Sequence, residues 1–442
     1  MKKLNTISAS SFIKLLFAFF TLSLFLAAVI VPDRAQMFNG MMNITSHTIK
    51  IPTNDFDIGG YAGSFFDAGL VCLACTLLFC LPKAKANAGS VIGFLLTMGF
   101  CFWGLNIMNM WFGILGVLVY CLVKWENPAK HVNTMLFTTA LTPLYSDLLL
   151  RYPDAAAHGF SWYGLAFAVA VGLFVGFFLP AGLPHSPNIH KGYSIYSAAI
   201  PIGFMSFFLR AVLYSLPGNE IPAAPVNLHT ASWEIADIFC IAVFVICIGA
   251  AFLMGCTPKK YWELLKDSGH SVDFSQKYGN AAFLMNVGAY GLFILLYYNV
   301  IGAEFNAITF GCVFAMLASC CSGAHPRNVW PIMLGYALIC CLFRQIVGEE
   351  YELIINNQTI VIGLCFANCL APVAGKYGWW AGTIAAMLHY CIVKFVPEMH
   401  GGFLLYNGGF TSGIVCIMLI PVLESFFKTK EERKQARLQK AQ

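Results

Sequence analysis

Charge is what this chain has least of. Asp, Glu, Lys and Arg make up 11% of its 442 residues, where a soluble globular chain carries about 25%. A surface built mainly for water is thereby excluded. Phosphate-cradling glycine loops are missing too: there is no GxxxxGK[ST] and no strand-flanked GxGxxG, nor is there a GxSxG nucleophile elbow. Without a nucleotide-binding segment the chain cannot be an ATP-driven pump by itself. No His, Cys and Glu set has zinc spacing. We therefore expect no enzyme activity, no cofactor and no metal site. The 17 Cys lie mostly inside apolar runs. Cys72 and Cys75 have the spacing of a redox or metal pair, but no second pair or nearby His accompanies them. They read as small hydrophobes.

Apolar residues are what the chain has in abundance. They reach 59%, with 39 Gly and a mean hydropathy of +0.71. A membrane helix needs about 20 mostly apolar residues. About fourteen such runs can be read, near 12–31, 61–81, 88–105, 108–123, 131–149, 161–180, 192–212, 232–255, 280–299, 305–322, 328–347, 358–375, 379–396 and 402–426. The fourth and fifth are short or interrupted and stand open between crossing the bilayer and re-entering it. The first run follows MetLysLys, the shape of a signal peptide, but it is long for one and has a counterpart in the second half, so we read it as a retained span.

Loop charge gives an orientation. With the N-terminus inside, the inner loops hold Lys83 and Lys85, Lys124 and Lys130, Lys191, Lys259, Lys260, Lys266 and Lys277, then Arg327, Lys376 and the basic tail 428–440. The outer loops include GlyGluGluTyrGlu at 348–352 and ProGlyAsnGlu at 217–220. Short loops rich in Lys and Arg mark the cytoplasmic side, so both termini are expected in the cytoplasm. Arg34, Lys50 and Arg151 are exceptions. The tail reads as a solvated segment and not as a nucleic-acid arm.

An internal repeat is the most informative feature. Gly104, Asn109, Trp111 and Gly116 recur 219 residues later as Gly323, Asn328, Trp330 and Gly335, and Asp67-Ala-Gly69 recurs as Asn286-Val-Gly288. Phe137 to Pro143 matches Phe366 to Pro372. His190, Gly192, Tyr196 and Gly203 match His400, Gly402, Tyr406 and Gly413. Each match shifts the span number by seven, which is odd, so we expect an all-α membrane protein built as a 7+7 inverted repeat. An even span count would instead make the halves parallel. The expected division is a first repeat at 1–215, an inverted second repeat at 216–427, and a basic cytoplasmic tail at 428–442.

Inverted repeats bind solutes near the midplane, where broken helices of the two halves meet. Pro143 and Pro372 each remove a helix donor, with Thr138, Thr139, Thr142, Ser146 and Asn368 close by. The Gly-dense stretch His400 to Gly413 favours unwinding. Candidate solute contacts are therefore Thr142, Asn368, His190, Tyr196, His400, Tyr406, Asn407, Thr411 and Ser412. Tight packing through small residues is the rival explanation for these stretches. Ionisable groups inside a span are costly and suggest function. Asp67, with Asn286 as its repeat mate, is the candidate ion-coupling position. Asp237, Arg210, Arg344, His389 and Glu424 also fall in or near spans, where snorkelling accounts for several.

The strings GlyAlaHisProArgAsnValTrpProIleMetLeuGly, LeuAlaProValAlaGlyLysTyrGlyTrp and HisGlyGlyPheLeuLeuTyrAsnGlyGlyPhe resemble a bacterial duplicated membrane family known as domain of unknown function 1576. The first half departs from the pattern, with Trp111-Phe-Gly and Ser197-Ala-Ala in place of TrpProIle and AsnGlyGly. The resemblance implies the fold and a bacterial inner-membrane location, and brings no substrate. A seven-plus-seven count also resembles nucleobase and anion transporters in layout alone. The expectation is a secondary transporter or facilitator of a small solute in the cell membrane. The rivals are a channel-like pore for a neutral solute and a membrane-embedded enzyme or scaffold. The lipid bilayer and a small solute are the expected partners, with nucleic acid excluded and a homo-oligomer open.

Overall fold

The computed structural model describes residues 6–47, 53–154, 156, 158–216, 218–221 and 233–440. Lys50, Pro217 and the initial MetLysLys lie outside them. The described residues form helices and connecting turns, with no strand. The first half comprises α1 (Ala9–Ile30), α2 (Met37–Ser46), α3 (Asp55–Phe79), α4 (Ala88–Phe100), α5 (Trp111–Lys124), α6 (Val132–Thr138), α7 (Thr142–Leu150), α8 (Trp162–Gly182), α9 (Ser186–His190) and α10 (Ala199–Tyr214). The second half comprises α11 (Trp233–Leu253), α12 (Pro258–Leu265), α13 (Phe274–Lys277), α14 (Asn280–Ile301), α15 (Ala307–Leu317), α16 (Pro326–Val347), α17 (Gln358–Ala367), α18 (Ala371–Tyr377), α19 (Trp379–Val393), α20 (Val396–Met399) and α21 (Asn407–Phe426). A last helix, α22 (Lys430–Lys440), carries the basic tail.

Among the described residues, eight stretches are long and apolar enough to cross a membrane, and five shorter apolar helices of 10–17 residues accompany them. Leu22, Ile30, Leu122, Ile238, Val300 and Ile346 are each more than 60% exposed. Such an apolar exterior is stable only against hydrocarbon. The Cys that the sequence placed in apolar runs are free thiols, and Cys72 and Cys75 are buried.

The sequence repeat is also a repeat of hydrogen bonds. Asn87 caps α4 and Asn306 caps α15, each through a reciprocal box with the residue three further on (Ser90 and Thr309). Beyond α4 the Asn106 N–H donates to Asn109 Oδ1 at 2.9 Å, and Asn109 Nδ2 donates to the Gly104 carbonyl at 3.0 Å. At the same offset of 219 the His325 N–H donates to Asn328 Oδ1 at 3.0 Å, and Asn328 Nδ2 to the Gly323 carbonyl at 2.8 Å. The recurring Gly and Asn thus build one device twice: a tight tip joining two helices of a hairpin. Gly60, at φ +69°, interrupts α3, and its mate Gly279, at φ +83°, separates α13 from α14. Only glycine adopts that backbone without cost.

The halves are locked together by matched pairs of bonds. The Ala88 N–H, at the start of α4, donates to Asp273 Oδ2 at 3.1 Å. The Ala307 N–H, at the start of α15, donates to Asn54 Oδ1 at 3.1 Å. Ala307 and Asp273 stand 219 residues after Ala88 and Asn54, so each half does to the other what it receives. Next to these caps, the Asp55 N–H meets the Phe102 carbonyl and the Phe274 N–H meets the Cys321 carbonyl. The start of each hairpin therefore lies beside the end of the other, and α4 and α15 cross antiparallel. They touch at Gly99 and Gly311, where a Cβ on either would come within 2.5 Å of the other's carbonyl oxygen.

Candidate functional site

Two helices are broken at the same place in each half. One turn of 3-10 helix, Thr139–Leu141, separates α6 from α7, and Asn368–Leu370 separates α17 from α18. In such a turn the donor to Ala140 would come from residue 143 and the donor to Cys369 from residue 372. Both are proline and have no N–H. The freed carbonyls are taken by the opposite half. The Leu405 N–H donates to Ala140 O at 2.9 Å, and the Ile195 N–H donates to Cys369 O at 3.0 Å. The donors sit in the non-helical segments 191–198 and 400–406, just ahead of α10 and α21. The 140s, 190s, 370s and 400s thus converge, and proline is the reason they can.

Around this crossing lies an aromatic cluster drawn from both halves. The Tyr196 and Tyr406 rings are 5.4 Å apart, Tyr406 and Phe366 5.7 Å, and Phe100 and Tyr406 6.1 Å. Trp103 lies parallel to Phe366 at 6.2 Å. Polar groups within it are neutral and fully buried. Asn368 Nδ2 reaches Tyr290 Oη at 2.8 Å, Met316 O at 2.6 Å and Ser319 Oγ at 2.7 Å, while Tyr196 Oη donates to Ala315 O at 2.6 Å. Asn368 Oδ1, Tyr406 Oη and Trp103 Nε1 have no protein partner among the described residues. An orphaned buried polar atom costs about 1–3 kcal/mol, so three in one cluster mark a place where another hydrogen-bonding molecule would be stabilised.

The other candidates are placed as follows. Ser412 belongs to the cluster through Gly408 O at 3.0 Å and Phe366 O at 3.5 Å. Thr142 gives its hydroxyl to Thr139 O, which also accepts the Thr142 N–H, and Thr411 bonds Asn407 O. Both hydroxyls are thus spent on carbonyls of their own segment. His190 and His400 are not brought together. His190 Nε2 meets Ser197 Oγ at 2.8 Å next to Lys191, which pairs with Glu424 at the far end of α21. His400 Nδ1 meets Asn407 Oδ1 at 2.6 Å, beside Arg210 near the end of α10. They are equivalent braces in the two halves. Asn286 donates to the carbonyls of Cys320 and Ala324, whereas Asp67 Oδ1 accepts from the Ile107 N–H at 3.1 Å. Each fastens α14 or α3 to its own hairpin tip.

The sequence did not point to Tyr290, Ser319 or Trp103, none of which shares its polar group with its mate in the other half. His389 was noted only as lying near a span. It is fully buried and bridges Tyr336 Oη at 2.6 Å to the Gly408 carbonyl at 2.8 Å. No group of three or more His, Cys, Asp or Glu among the described residues is placed to hold a metal ion.

Two polar cavities lie away from the centre, at the starts of α4 and α15. One, of about 260 Å³, is lined by Lys83, Lys85, Asn87 and Lys130. The other, of about 360 Å³, is lined by Glu304, Thr309, Glu352 and Gln358. They occupy matching positions in the two halves, so they open at opposite ends of the antiparallel α4/α15 pair.

A family model described as a protein of unknown function (DUF1576) matches residues 33–215 and 256–425. The chain is a helical membrane protein with a duplicated domain. No curated protein matches it. No solved structure matches it either.

Proposed function

The chain belongs to the DUF1576 family, and from that premise and its geometry we propose that it is a secondary transporter or facilitator of a small solute across the cell membrane. The carrying observation is the pair of proline-vacated carbonyls, Ala140 O and Cys369 O, each held by the opposite half beside three orphaned neutral polar atoms. Interrupted helices at an interface between repeats are how such carriers expose backbone to solute. We read the two halves as inverted in the bilayer, a reading supported by the antiparallel crossing of α4 and α15 and by the matched cavities at opposite ends. Fourteen membrane segments then place both termini in the cytoplasm, with the lysine-lined cavity on that side.

The central groups are neutral hydrogen-bonding side chains among aromatic rings, which suits a small neutral or planar polar solute. Asp67 is the coupling position in this reading. The test is uptake into reconstituted vesicles across a panel of such solutes, with Asn368→Ala alongside. Saturable uptake that falls at least tenfold in the variant is expected. Absence of uptake for every solute, with no solute raising the melting temperature, overturns the proposal. Uptake that neither saturates nor follows an ion gradient favours a channel-like pore.

A further inference from the structure

Asp55 is a residue to which the solute site gives no role. Its side chain is completely buried, and neither carboxyl oxygen has a protein partner among the described residues. Twelve residues along α3, Asp67 is equally buried, with Oδ1 held by the Ile107 N–H and Oδ2 without a partner. The break at Gly60 turns the first residues of α3 back toward the α4–α5 hairpin tip, so both residues dock on that tip. The Asp55 N–H bonds Phe102 O, while Asp67 bonds residue 107. The rings between them close the space: Phe56 is 6.0 Å from Phe65 and 5.8 Å from Phe102, and Phe65 is 5.6 Å from Phe102. Asn106 Nδ2, on the same tip, is buried and also unpartnered.

Among the described residues, the surroundings supply no counter-charge. On α3 the other titratable groups are Asp57, Tyr61, Cys72 and Cys75, and the hairpin contributes Cys101, none of them a cation. Asp33 approaches the break and accepts from the Ala62 N–H at 3.2 Å, and Asn54 Nδ2 bonds Asp57. From the second half, α15 and α11 present Phe310 and Phe239 to Phe65, with Asp237 further along α11. No Lys, Arg or His among the described residues forms an ion pair with either carboxyl. A fully buried carboxyl with unpartnered oxygens and no counter-charge in an apolar site does not stay ionised. Calcium takes about six to eight oxygen ligands and magnesium about six, and the two residues offer three unpartnered carboxyl oxygens. A proton needs one. The second half carries Phe274 and Asn286 at the equivalent positions, so the arrangement occurs once per chain.

We propose that Asp55 and Asp67 form a two-carboxyl site holding a proton between the unwound start of α3 and the tip of the α4–α5 hairpin. The proton sits on a carboxyl oxygen that has no protein partner among the described residues, and separating α3 from the tip releases it to water. Its role in driving uptake rests on the transporter reading; its existence does not. The experiment is infrared spectroscopy of the purified full-length protein in nanodiscs at neutral pH, without any solute. Wild type should show a protonated-carboxyl carbonyl band that shifts in deuterated water. Asp55→Asn and Asp67→Asn should each move the band, and the double variant should lose that intensity while keeping the wild-type melting profile. A wild-type spectrum without such a band overturns the proposal even if the double variant fails to fold, and so does a band unchanged in the folded double variant. If the band behaves as expected while no solute is carried, the pair stands and the transporter reading falls. If uptake is robust and the band is absent, the protein is a carrier without this proton site.

Discussion

The single atom that Gly99 and Gly311 lack sets the distance between the halves. A Cβ on Gly311 would sit 2.3 Å from the Gly99 carbonyl oxygen, which is backbone and cannot step aside. Overpacking of this kind costs roughly 1–3 kcal/mol. Gly311→Ala should therefore lower the melting temperature in detergent by several degrees. Gly249→Ala, where a Cβ meets nothing within 4 Å, should be neutral or mildly stabilising. Charge at the loops makes a different demand. Burial alone would raise the Asp267 carboxyl, but Tyr278, the Gly269 N–H and Lys277 (2.6 Å away) together hold it below the usual carboxylate range. A depressed folded value means the pairing stabilises the fold above the unfolded carboxyl's range, near pH 4. That stability disappears as pH falls through the lower folded value. Melting should be sensitive to Asp267→Asn at pH 7 and should lose that sensitivity progressively as pH falls below about 4. Asp67 could be singled out from its own span because an acid among apolar residues is conspicuous. Asp55 could not, since it reads as the polar start of a helix and its mate is Phe274.

At the level of elements, helix starts are supplied from across the molecule. The α4 N–H of Ala88 is satisfied by Asp273, 185 residues away in sequence, and Asn54 does the same for α15. A lost helix-start acceptor costs about 0.5–2 kcal/mol. Asp273→Ala should destabilise by that amount, measured by thermal unfolding. Asp273→Asn should retain most of the stability, because the mirror position already uses Asn. Local signals made the hairpins and the broken helices legible: a Gly-Asn-Trp-Gly string repeats, and Pro143 and Pro372 announce their breaks. What those breaks are for was not legible. The N–H groups of Ile195 and Leu405 carry no sequence signature, because any residue but proline offers one. The same limit explains His190 and His400. Their match is genuine, but a two-fold arrangement sends equivalent residues to opposite places, and only points on the axis come together.

For the whole molecule, orientation is the property to test. With Cys80 and Cys341, the exposed native thiols, replaced by Ser, a single cysteine is introduced at Lys85 or at Glu304, one in each matched cavity. An impermeant maleimide added to intact cells should label Glu304→Cys and leave Lys85→Cys unlabelled until the membrane is opened. Equal labelling of both would mean parallel halves. The count of long membrane helices is lower than fourteen because several segments are short hairpin arms or are split by proline, and charge alternation among loops is blind to that distinction.

The matched caps of Ala88 and Ala307 mean that the contact surface of each half is complementary to itself, as in a homodimer whose subunits share one patch. A homodimer must carry every residue in duplicate, so an acid introduced at its core arrives twice and repels its own copy. Joining the halves in one chain removes that constraint. One copy can hold Asp55 and Asp67 while the other keeps Phe274 and Asn286, and one mouth can be lined with lysine while its twin is lined with glutamate. Fusion thus lets a symmetric scaffold have an asymmetric inventory, and the stoichiometry of whatever those acids bind is set at one per molecule.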